Sequence, residues 1–442
     1  MASTRVGWKL HGDGRTVAPG EVVKPDERLN MPYMLGLGGQ HILAMFGATA
    51  LVPVLTGFPV TTTIFFSGVG TIIFNLLTRN RVPSYTGSSF AFIAPVLAAK
   101  SEGLEAALAG IVAAGIALFL VGLIVDRVGW NVFEFLFPPI VTGSIVALIG
   151  LNLAPVAWQQ FEQQAGLGMI TLVAILIIGV AVKSFLSRLS VFLGVLVGYV
   201  VAGLLGDVNW DGVDAASWFG FPDFVTPDFN MRAILLVVPG VLLVLMAENA
   251  GHVKAVATMT ERDLDPMIGR SFMGDGVATT LSGMFGGSGT TTYAENIGVM
   301  GYTRIYSTLA YIIAGAIAIG LGLLPKFGAI ITAIPIGVLG GAVTVLFGMI
   351  AVLGARIWIE ASVDFRDPVN LVTAAVALIV GTANYTLNWG DYSFGGIALG
   401  TIGAILIYQV LRFFQPELAE PDTAYGDPLV EPLAAAPDTR RP

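Results

Sequence analysis

Apolar segments alternate with short polar connections along most of the chain. Fourteen of them can be counted, and seven lie on each side of a polar loop at 206–230. They lie near residues 35–55, 61–78, 83–99, 105–125, 137–154, 168–182, 189–205, 233–252, 271–286, 288–303, 305–324, 334–353, 369–386 and 394–411. The pattern predicts an all-α polytopic membrane protein with fourteen transmembrane segments. Because each half has an odd number of spans, the second half should have inverted topology.

The positions of the positive charges set the orientation. If the N-terminus is placed inside, 19 of the 22 Lys and Arg residues fall on the cytoplasmic side, and Lys100, Arg232 and Lys326 fall outside. This is a strong positive-inside bias. We therefore expect both termini in the cytoplasm. Residues 1–30 form a polar N-terminal segment, and residues 413–442, rich in Pro, Ala and acids, are expected to be a disordered tail.

Two pairs of interrupted spans indicate an internal repeat. The third span contains GSSFAF (Gly87–Phe92) and the tenth contains GTTTYAE (Gly289–Glu295), both rich in small residues. The fifth span carries Pro138, Gly143 and Gly150, and the twelfth carries Pro335, Gly340 and Gly348. Gly-rich spans can resemble one another by chance, but spacing, topology and charge bias agree. Paired broken spans in inverted halves point to a transporter site near the membrane midplane.

The overall composition excludes several function classes. Only 12% of residues are charged, 55% are hydrophobic and cysteine is absent. No basic patch indicates nucleic acid, and no G-x-x-x-x-G-K-[ST] motif indicates nucleotide hydrolysis. No set of nucleophile, base and orienting residue indicates an enzyme. Three histidines, one of them His11 in the N-terminal segment, are too few for a zinc site, so neither metal nor cofactor is expected.

Five ionisable residues lie within or at the ends of the predicted spans: His41, Glu248, His252, Asp275 and Glu295. Ionisable groups at membrane depth are functional candidates because they are expensive to place there. Glu295 follows a break at the threonines 290–292, so its span should present backbone N–H groups and a carboxylate to a ligand.

Glu248 and His252 are four residues apart and share a helix face. They are either a structural pair or a substrate-binding carboxylate with a proton partner. The second interpretation is favoured because Glu295 could face the same cavity. Carboxylates with a histidine suit coupling to protons, which needs groups that change protonation.

The remaining candidates have supporting roles. Asp275 is interpreted as structural or as part of a polar network, and His41, after Gln40, as a residue that braces helices by hydrogen bonding. Phe90 and Tyr293 flank the two breaks. Each is either core packing or a ring that stacks on a flat ligand.

The region around Glu295 resembles a known signature. Glu295-Asn296-x-Gly298, followed by Thr303-Arg304, fits [QEP]-N-x-G-x-x-x-x-T-[RKG] of the nucleobase–ascorbate transporters. Gln40-His41 is similar to the Q-H pair of that family. GSSFAFIAP from Gly87 and AENAGH from Ala247 resemble the uracil permease branch, in particular permeases of bacterial pyrimidine-degradation pathways. The resemblance extends over roughly residues 35–412.

This resemblance implies a fold of seven plus seven inverted spans, with short β-strands in spans 3 and 10, in a homodimer. Spans 1–4 and 8–11 would form a core domain, and spans 5–7 and 12–14 a gate domain. The core would comprise 31–128 and 231–325, and the gate 129–230 and 326–412.

The resemblance also implies a binding site. Glu248 and Glu295 would bind the base, the backbone near Phe90 and Ala294 would contact it, and His252 would support Glu248. Asn249 stands where a histidine is often found beside the first glutamate.

Together, residues and resemblance lead us to expect a proton-coupled uracil symporter in the bacterial inner membrane. Its partners would be a nucleobase, protons, lipid and a second copy of the chain. A xanthine- or urate-type purine symporter on the same fold is the main alternative. A small-anion transporter is less consistent with the sequence, because no Lys or Arg lies at midspan.

Overall fold

A computed structural model describes residues 7–18, 20–182, 187, 189–389 and 392–414. The helices of the first half of the chain are α1 Met31–Thr56, α2 Val60–Leu77, α3 Ile93–Ala99, α4 Leu104–Val128, α5 Asn131–Glu134, α6 Pro139–Asn152, α7 Ala154–Gln163, α8 Ala165–Ala181, α9 Ser190–Leu205 and α10 Asp211–Ala215. Those of the second half are α11 Met231–Thr260, α12 Ile268–Met284, α13 Ala294–Thr303, α14 Thr308–Gly322, α15 Pro325–Thr332, α16 Ile336–Glu360, α17 Pro368–Thr382 and α18 Gly396–Phe414.

Six short strands complete the described secondary structure: β1 Lys9–Leu10, β2 Glu27–Arg28, β3 Thr86–Ser88, β4 Thr290–Thr292, β5 Leu387–Trp389 and β6 Tyr392–Phe394. They form three separate two-stranded sheets. β1 and β2 are parallel, whereas β3 pairs with β4 and β5 with β6 in antiparallel fashion. The β3–β4 pair joins the two halves of the chain, across about two hundred residues.

The fourteen predicted spans all have a counterpart. Seven helical stretches of the described chain are long and apolar enough to cross a bilayer, and α14 with α15, bent by 84°, makes an eighth. Shorter helices supply the others, and the third and tenth spans each consist of a strand followed by a half-helix. The prediction of a polytopic membrane protein with seven plus seven inverted spans is confirmed.

Some boundaries differ from those predicted. The eighth span was predicted to end near residue 252, but α11 continues to Thr260 and stops at Glu261, whose φ is +51°. Polar residues ended the apolar pattern there without ending the helix. The predicted C-terminal tail starts two residues early, since α18 reaches Phe414. Residues 415–442 of that tail lie outside the described part of the chain.

Close helix crossings follow the inverted repeat. A Cβ on Gly68 of α2 would lie 2.4 Å from the carbonyl oxygen of Gly315 on α14. A Cβ on Gly276 of α12 would lie 2.7 Å from the carbonyl oxygen of Gly115 on α4. Spans 2 and 11 thus touch through their backbones as spans 9 and 4 do. Only glycine permits such approach, which gives van der Waals packing in lipid.

The helices pack as two groups. Within the first, α4 runs along α12 and α2 along α14, while α1 contacts α14 and α13. Within the second, α16 packs on α6, α7 and α8, and α17 packs on α18 and α6. α11 contacts members of both groups, because it also touches α18 and α6. The paired strands β3 and β4 lie in the first group, against α2, α12, α1 and α11.

Candidate functional site

The candidate site lies at the antiparallel pair of β3 and β4, which we call the strand crossing. All six strand residues are buried, and their register pairs Thr86 with Thr292, Gly87 with Thr291 and Ser88 with Thr290. Two further backbone hydrogen bonds extend the ladder, from Ser89 N to Gly289 O at 2.9 Å and from Tyr293 N to Tyr85 O at 3.0 Å. Short extended segments of Gly, Ser and Thr satisfy each other here, as backbone buried at membrane depth must.

Each strand is also held by a threonine of a neighbouring helix. Thr71 Oγ1 on α2 accepts a hydrogen bond from Thr86 N at 3.0 Å. Thr279 Oγ1 on α12 accepts one from Thr290 N, also at 3.0 Å. These are equivalent helices in the two halves, so the inverted repeat extends to single hydrogen bonds.

Two half-helices begin at the crossing. A 3₁₀ turn at Phe90–Phe92 leads into α3, and α13 begins at Ala294, directly after β4. The first N–H groups of a helix have no partner within the helix, and that end carries a partial positive charge. The crossing therefore presents donor groups from both halves to the same region.

Glu248 faces this region from α11. Its side chain is partly exposed, unlike the fully buried Asn249 beside it. The hydroxyl groups of Thr291 and Ser89 lie near its carboxyl group. Nevertheless Glu248 Oε2 and Thr291 Oγ1 are buried atoms that make no hydrogen bond within the described structure. Two unpaired polar atoms at the crossing indicate a place for a polar ligand.

Glu295 is the second residue of α13 and is also partly exposed. Its carboxyl group and that of Asp275 are near enough to Glu248 to interact with it electrostatically. Among the described residues, no Lys or Arg forms an ion pair with any of these three. Three carboxyl groups thus share one region, without a Lys or Arg partner among the described residues.

A chain of hydrogen bonds lies behind the carboxyl groups. Asp275 is fully buried and accepts from Thr290 Oγ1 and from Asn249 Nδ2, each at 2.8 Å. Asn249 Oδ1 in turn accepts from Thr292 Oγ1 at 3.2 Å. Thr292 Oγ1 lies 2.8 Å from Nδ1 of His252. Asp275 is therefore part of a polar network that connects α12, β4 and α11.

His41 connects α1 to α13. Its Nδ1 atom lies 3.1 Å from Nδ2 of Asn296, which also donates to the carbonyl oxygen of His41 at 3.0 Å. The ring of Tyr311 on α14 lies 4.3 Å from the imidazole, centroid to centroid. His41 thus contacts both α13 and α14, and its bracing role stays a prediction. Gln40, next to it, lines an open groove on α1 with Gly36, Gly39 and Leu43.

The two aromatic candidates have different environments. Phe90 is 9% exposed, and its ring meets Phe347 of α16 edge to face, 5.6 Å between centroids. Phe90 thus touches the second group of helices. The hydroxyl of Tyr293 donates to Ser88 O at 2.8 Å and lies 2.9 Å from Thr49 Oγ1. Its polar end is engaged in holding the two strands together.

The sequence did not single out Thr291, Thr292, Ser89 or Phe347. The threonines were noted only as helix breakers, and nothing in the local pattern around Phe347 separates it from an ordinary apolar helix. Within the described residues, no group of three His, Asp or Glu side chains is arranged to hold a metal ion. The site thus contains carboxyl groups that can accept hydrogen bonds, N–H groups at the starts of two half-helices that can donate them, and the aromatic ring of Phe90.

Comparison with known proteins agrees with this fold. The model described as "Permease family" matches residues 33–389. The putative pyrimidine permease RutG of Escherichia coli K12 is 43% identical over 95% of this chain and 98% of its own length. The uracil permease of Paenibacillus larvae is 39% identical over 87% of this chain and 96% of its own.

A solved structure supports the architecture independently. The transmembrane domain of a cyanobacterial bicarbonate transporter, BicA, superposes with a TM-score of 0.59 at 13% identity, covering 85% of this chain and 96% of that one. At such identity the likeness concerns the fold alone.

The family match and the names of the relatives indicate a multi-pass membrane transporter and not an enzyme. The chain belongs to the permease family that its residues 33–389 match. The resemblance to the uracil permease branch that was drawn from the signature at Glu295 is confirmed.

Proposed function

We propose that this protein is a proton-coupled symporter that imports uracil by alternating access. One observation carries the proposal: Glu248 Oε2 and Thr291 Oγ1 are buried and unpaired at the strand crossing, beside the half-helix that begins at Ala294 and carries Glu295. The names of the relatives, uracil permease and pyrimidine permease, support the substrate class.

The chemistry of uracil complements the site. The base is a planar ring with two N–H donors and two carbonyl acceptors. Glu248 and Glu295 accept from the ring N–H groups, while backbone N–H groups near Phe90 and Ala294 donate to the carbonyls. The ring of Phe90 covers one face of the base. Tyr293 holds the strands in place through its contacts with Ser88 and Thr49, and does so without contacting the base through its hydroxyl.

Proton coupling follows from the charge balance. Glu248, Glu295 and Asp275 are close together without a Lys or Arg among the described residues that pair with them. Burying uncompensated negative charge in a membrane is unfavourable, so a proton that enters with the substrate offsets it. His252 takes part because it is connected to Asp275 through Thr292 and Asn249. The substrate and the proton then stabilise the same state of the site.

Transport needs the site to open to either side. We assign residues 31–128 and 231–325 to a core domain and residues 129–230 and 326–412 to a gate domain. The contact between Phe90 and Phe347 joins the two at the site, and relative motion of the domains separates them. We place the protein in the bacterial inner membrane as a homodimer, with both termini in the cytoplasm, in line with the distribution of Lys and Arg.

The proposal is tested by uptake of radiolabelled uracil into proteoliposomes that contain the purified protein. Uptake should rise with an inward proton gradient and collapse with a protonophore. Excess unlabelled uracil should inhibit it more strongly than excess xanthine. Uptake driven equally well by sodium at constant pH would overturn the proton assignment. Saturable xanthine uptake without uracil uptake would favour the purine alternative.

A further inference from the structure

The N-terminal segment is folded against the ends of three helices. We call its described residues 8–18 and 20–30 the N-terminal clamp. β1 and β2 pair in parallel within it, and Lys9 N donates to Asp26 O at 3.0 Å. The clamp leads directly into α1, which begins at Met31. Its polar composition predicted only a cytoplasmic extension, whereas its contacts are specific.

The strongest contact is with the turn that follows α13. Val23 N donates to Arg304 O at 3.0 Å, and Tyr306 N donates to Val23 O at 2.8 Å. Val23 and Ile305 therefore form a parallel bridge. The Val23 side chain is completely buried. The apolar cluster around it consists of Val23, Leu29, Met34, Ile305 and Ala310.

Side-chain contacts reinforce this attachment at the start of α14. Trp8 Nε1 donates to Thr308 Oγ1 at 2.8 Å. Thr308 Oγ1 donates to Pro25 O at 3.0 Å, and Ser307 Oγ donates to Glu27 O at 2.5 Å. The end of the turn and the first residue of α14 are thus hydrogen-bonded to the clamp near both of its strands.

The clamp also reaches the end of α11. Arg262, in the turn that follows α11, donates to Asp26 Oδ1 at 2.8 Å. Asp26 is only three residues from Val23, so one short piece of chain contacts the ends of two helices. Those are the helices that carry Glu248 and Glu295.

We propose that the N-terminal clamp fixes the spacing between Glu248 and Glu295 and is therefore a positioning element for substrate binding. α13 has only ten residues and is bounded by β4 and by Arg304, whose φ is +56°. Glu295 is about 14 Å along the helix axis from Arg304, at 1.5 Å per residue. The two ends of this short half-helix are held by β4 and by the clamp, and its first turn is also hydrogen-bonded to His41 of α1. When a site is already held in its binding geometry, less of the binding free energy is spent on ordering its side chains.

This inference rests on the proposed function, because it assigns both carboxylates to one ligand. The first test is uracil binding to the purified full-length protein. Val23→Asp places a charge in the buried cluster, and Ala18→Asp places the same charge at an exposed position of the same segment. We expect Val23→Asp to weaken uracil binding about fivefold or more, within the usual range for coupled sites, and Ala18→Asp to bind like the wild type.

A second measurement separates positioning from general destabilisation. The loss caused by Val23→Asp should disappear in a Glu295→Gln background, because the carboxylate to be positioned is already gone. An equal loss in both backgrounds overturns the proposal. If Val23→Asp does not fold, Asp26→Arg should weaken binding by placing like charges together, and the double variant Asp26→Arg with Arg262→Asp should restore it. A double variant that binds no better than Asp26→Arg counts against the clamp.

A third measurement does not depend on the ligand. The chain contains no cysteine, so spin labels can be attached at Thr258→Cys on α11 and Tyr302→Cys on α13, both exposed positions. Val23→Asp should broaden the distance distribution between the labels, and Ala18→Asp should leave it unchanged. An unchanged distribution in Val23→Asp overturns the clamp. Failure of the wild type to bind uracil would instead reject the proposed substrate, and the label distances would still decide the structural role.

Discussion

The hydroxyl oxygen of Thr279 accepts a hydrogen bond from the backbone N–H of Thr290 at 3.0 Å. In the other half of the chain, Thr71 makes the same bond to Thr86. Each threonine satisfies the first donor of a strand that is wholly buried. Each of the two paired strands is therefore anchored by a threonine hydrogen bond, once in each repeat. These two bonds help to hold the site in place.

Replacement of either threonine by valine should destabilise the protein. Thr279→Val keeps the shape but leaves Thr290 N unpaired, and Thr71→Val does the same to Thr86 N. A buried unsatisfied donor costs about 1–3 kcal/mol. We expect a similar fall in thermal unfolding temperature for both variants. Thr344→Val is the matched control, because among the described residues the Thr344 hydroxyl donates only to Gly340 O within its own helix. Tolerance of Thr279→Val to the level of the control would contradict the anchoring role.

Glu295→Gln tests the substrate-binding carboxylate. The amide keeps the size of the side chain but replaces an acceptor oxygen by a donor, so an N–H of uracil meets an N–H of the protein. Loss of a hydrogen bond to a charged group costs about 1.5–3 kcal/mol, or about ten- to hundredfold in affinity. Binding of uracil and xanthine to the purified variant measures the effect, and xanthine should gain relative to uracil. Near-wild-type uracil affinity in a protein of unchanged thermal stability would remove Glu295 from the site.

Phe90→Ala should mainly weaken uracil binding, whereas Phe92→Ala should mainly lower the stability of the protein. Phe90 lies at the crossing and reaches Phe347 of α16, so its loss should weaken uracil binding more than it lowers stability. Phe92 is fully buried and packs closely over Gly289. Its truncation should cost about 3–5 kcal/mol of stability. Calorimetric uracil binding and thermal unfolding of both variants give the comparison. Wild-type binding by Phe90→Ala would make Phe90 a packing residue only.

The ion pair of the clamp should not contribute to the pH dependence of transport. The hydrogen bond from Arg262 lowers the pKa of Asp26 below its ordinary value of 3.8. A lowered pKa means that the pair is fully formed above the ordinary value and is lost only as pH falls through the lowered one. Between about pH 5 and 8 its contribution is constant. Asp26→Asn should therefore scale uracil uptake by one factor at every pH in this range.

Asp13→Asn is the control for that experiment. Asp13 is in the same segment, and within the described part of the chain its carboxylate accepts only from the nearby Arg15 and Thr16. It should leave both the level and the profile of uptake unchanged. A shifted pH profile in Asp26→Asn would mean that the clamp takes part in proton coupling.

The sequence alone determined the membrane architecture and singled out the candidate carboxylates of the proposed site. Transfer from water to lipid depends on the composition of each segment, so fourteen spans and their orientation could be predicted from local hydropathy and charge. Helical periodicity placed Glu248 and His252 on one face for the same local reason. Glu295 was recognisable because a carboxylate and a helix break in an apolar segment are both costly.

Only the tertiary structure decided how these groups are connected. His252 is connected to Asp275 through Thr292 and Asn249. These four residues belong to three elements, and Asn249 and Thr292 are 43 residues apart in the chain. The clamp brings Val23 to Arg304, a residue in the second half of the chain. Hydropathy cannot reveal such contacts, because it describes how each segment meets lipid and not which side chains meet when the spans pack. That packing depends on a few glycines and hydrogen bonds in each helix, whose partners lie on other elements of the chain.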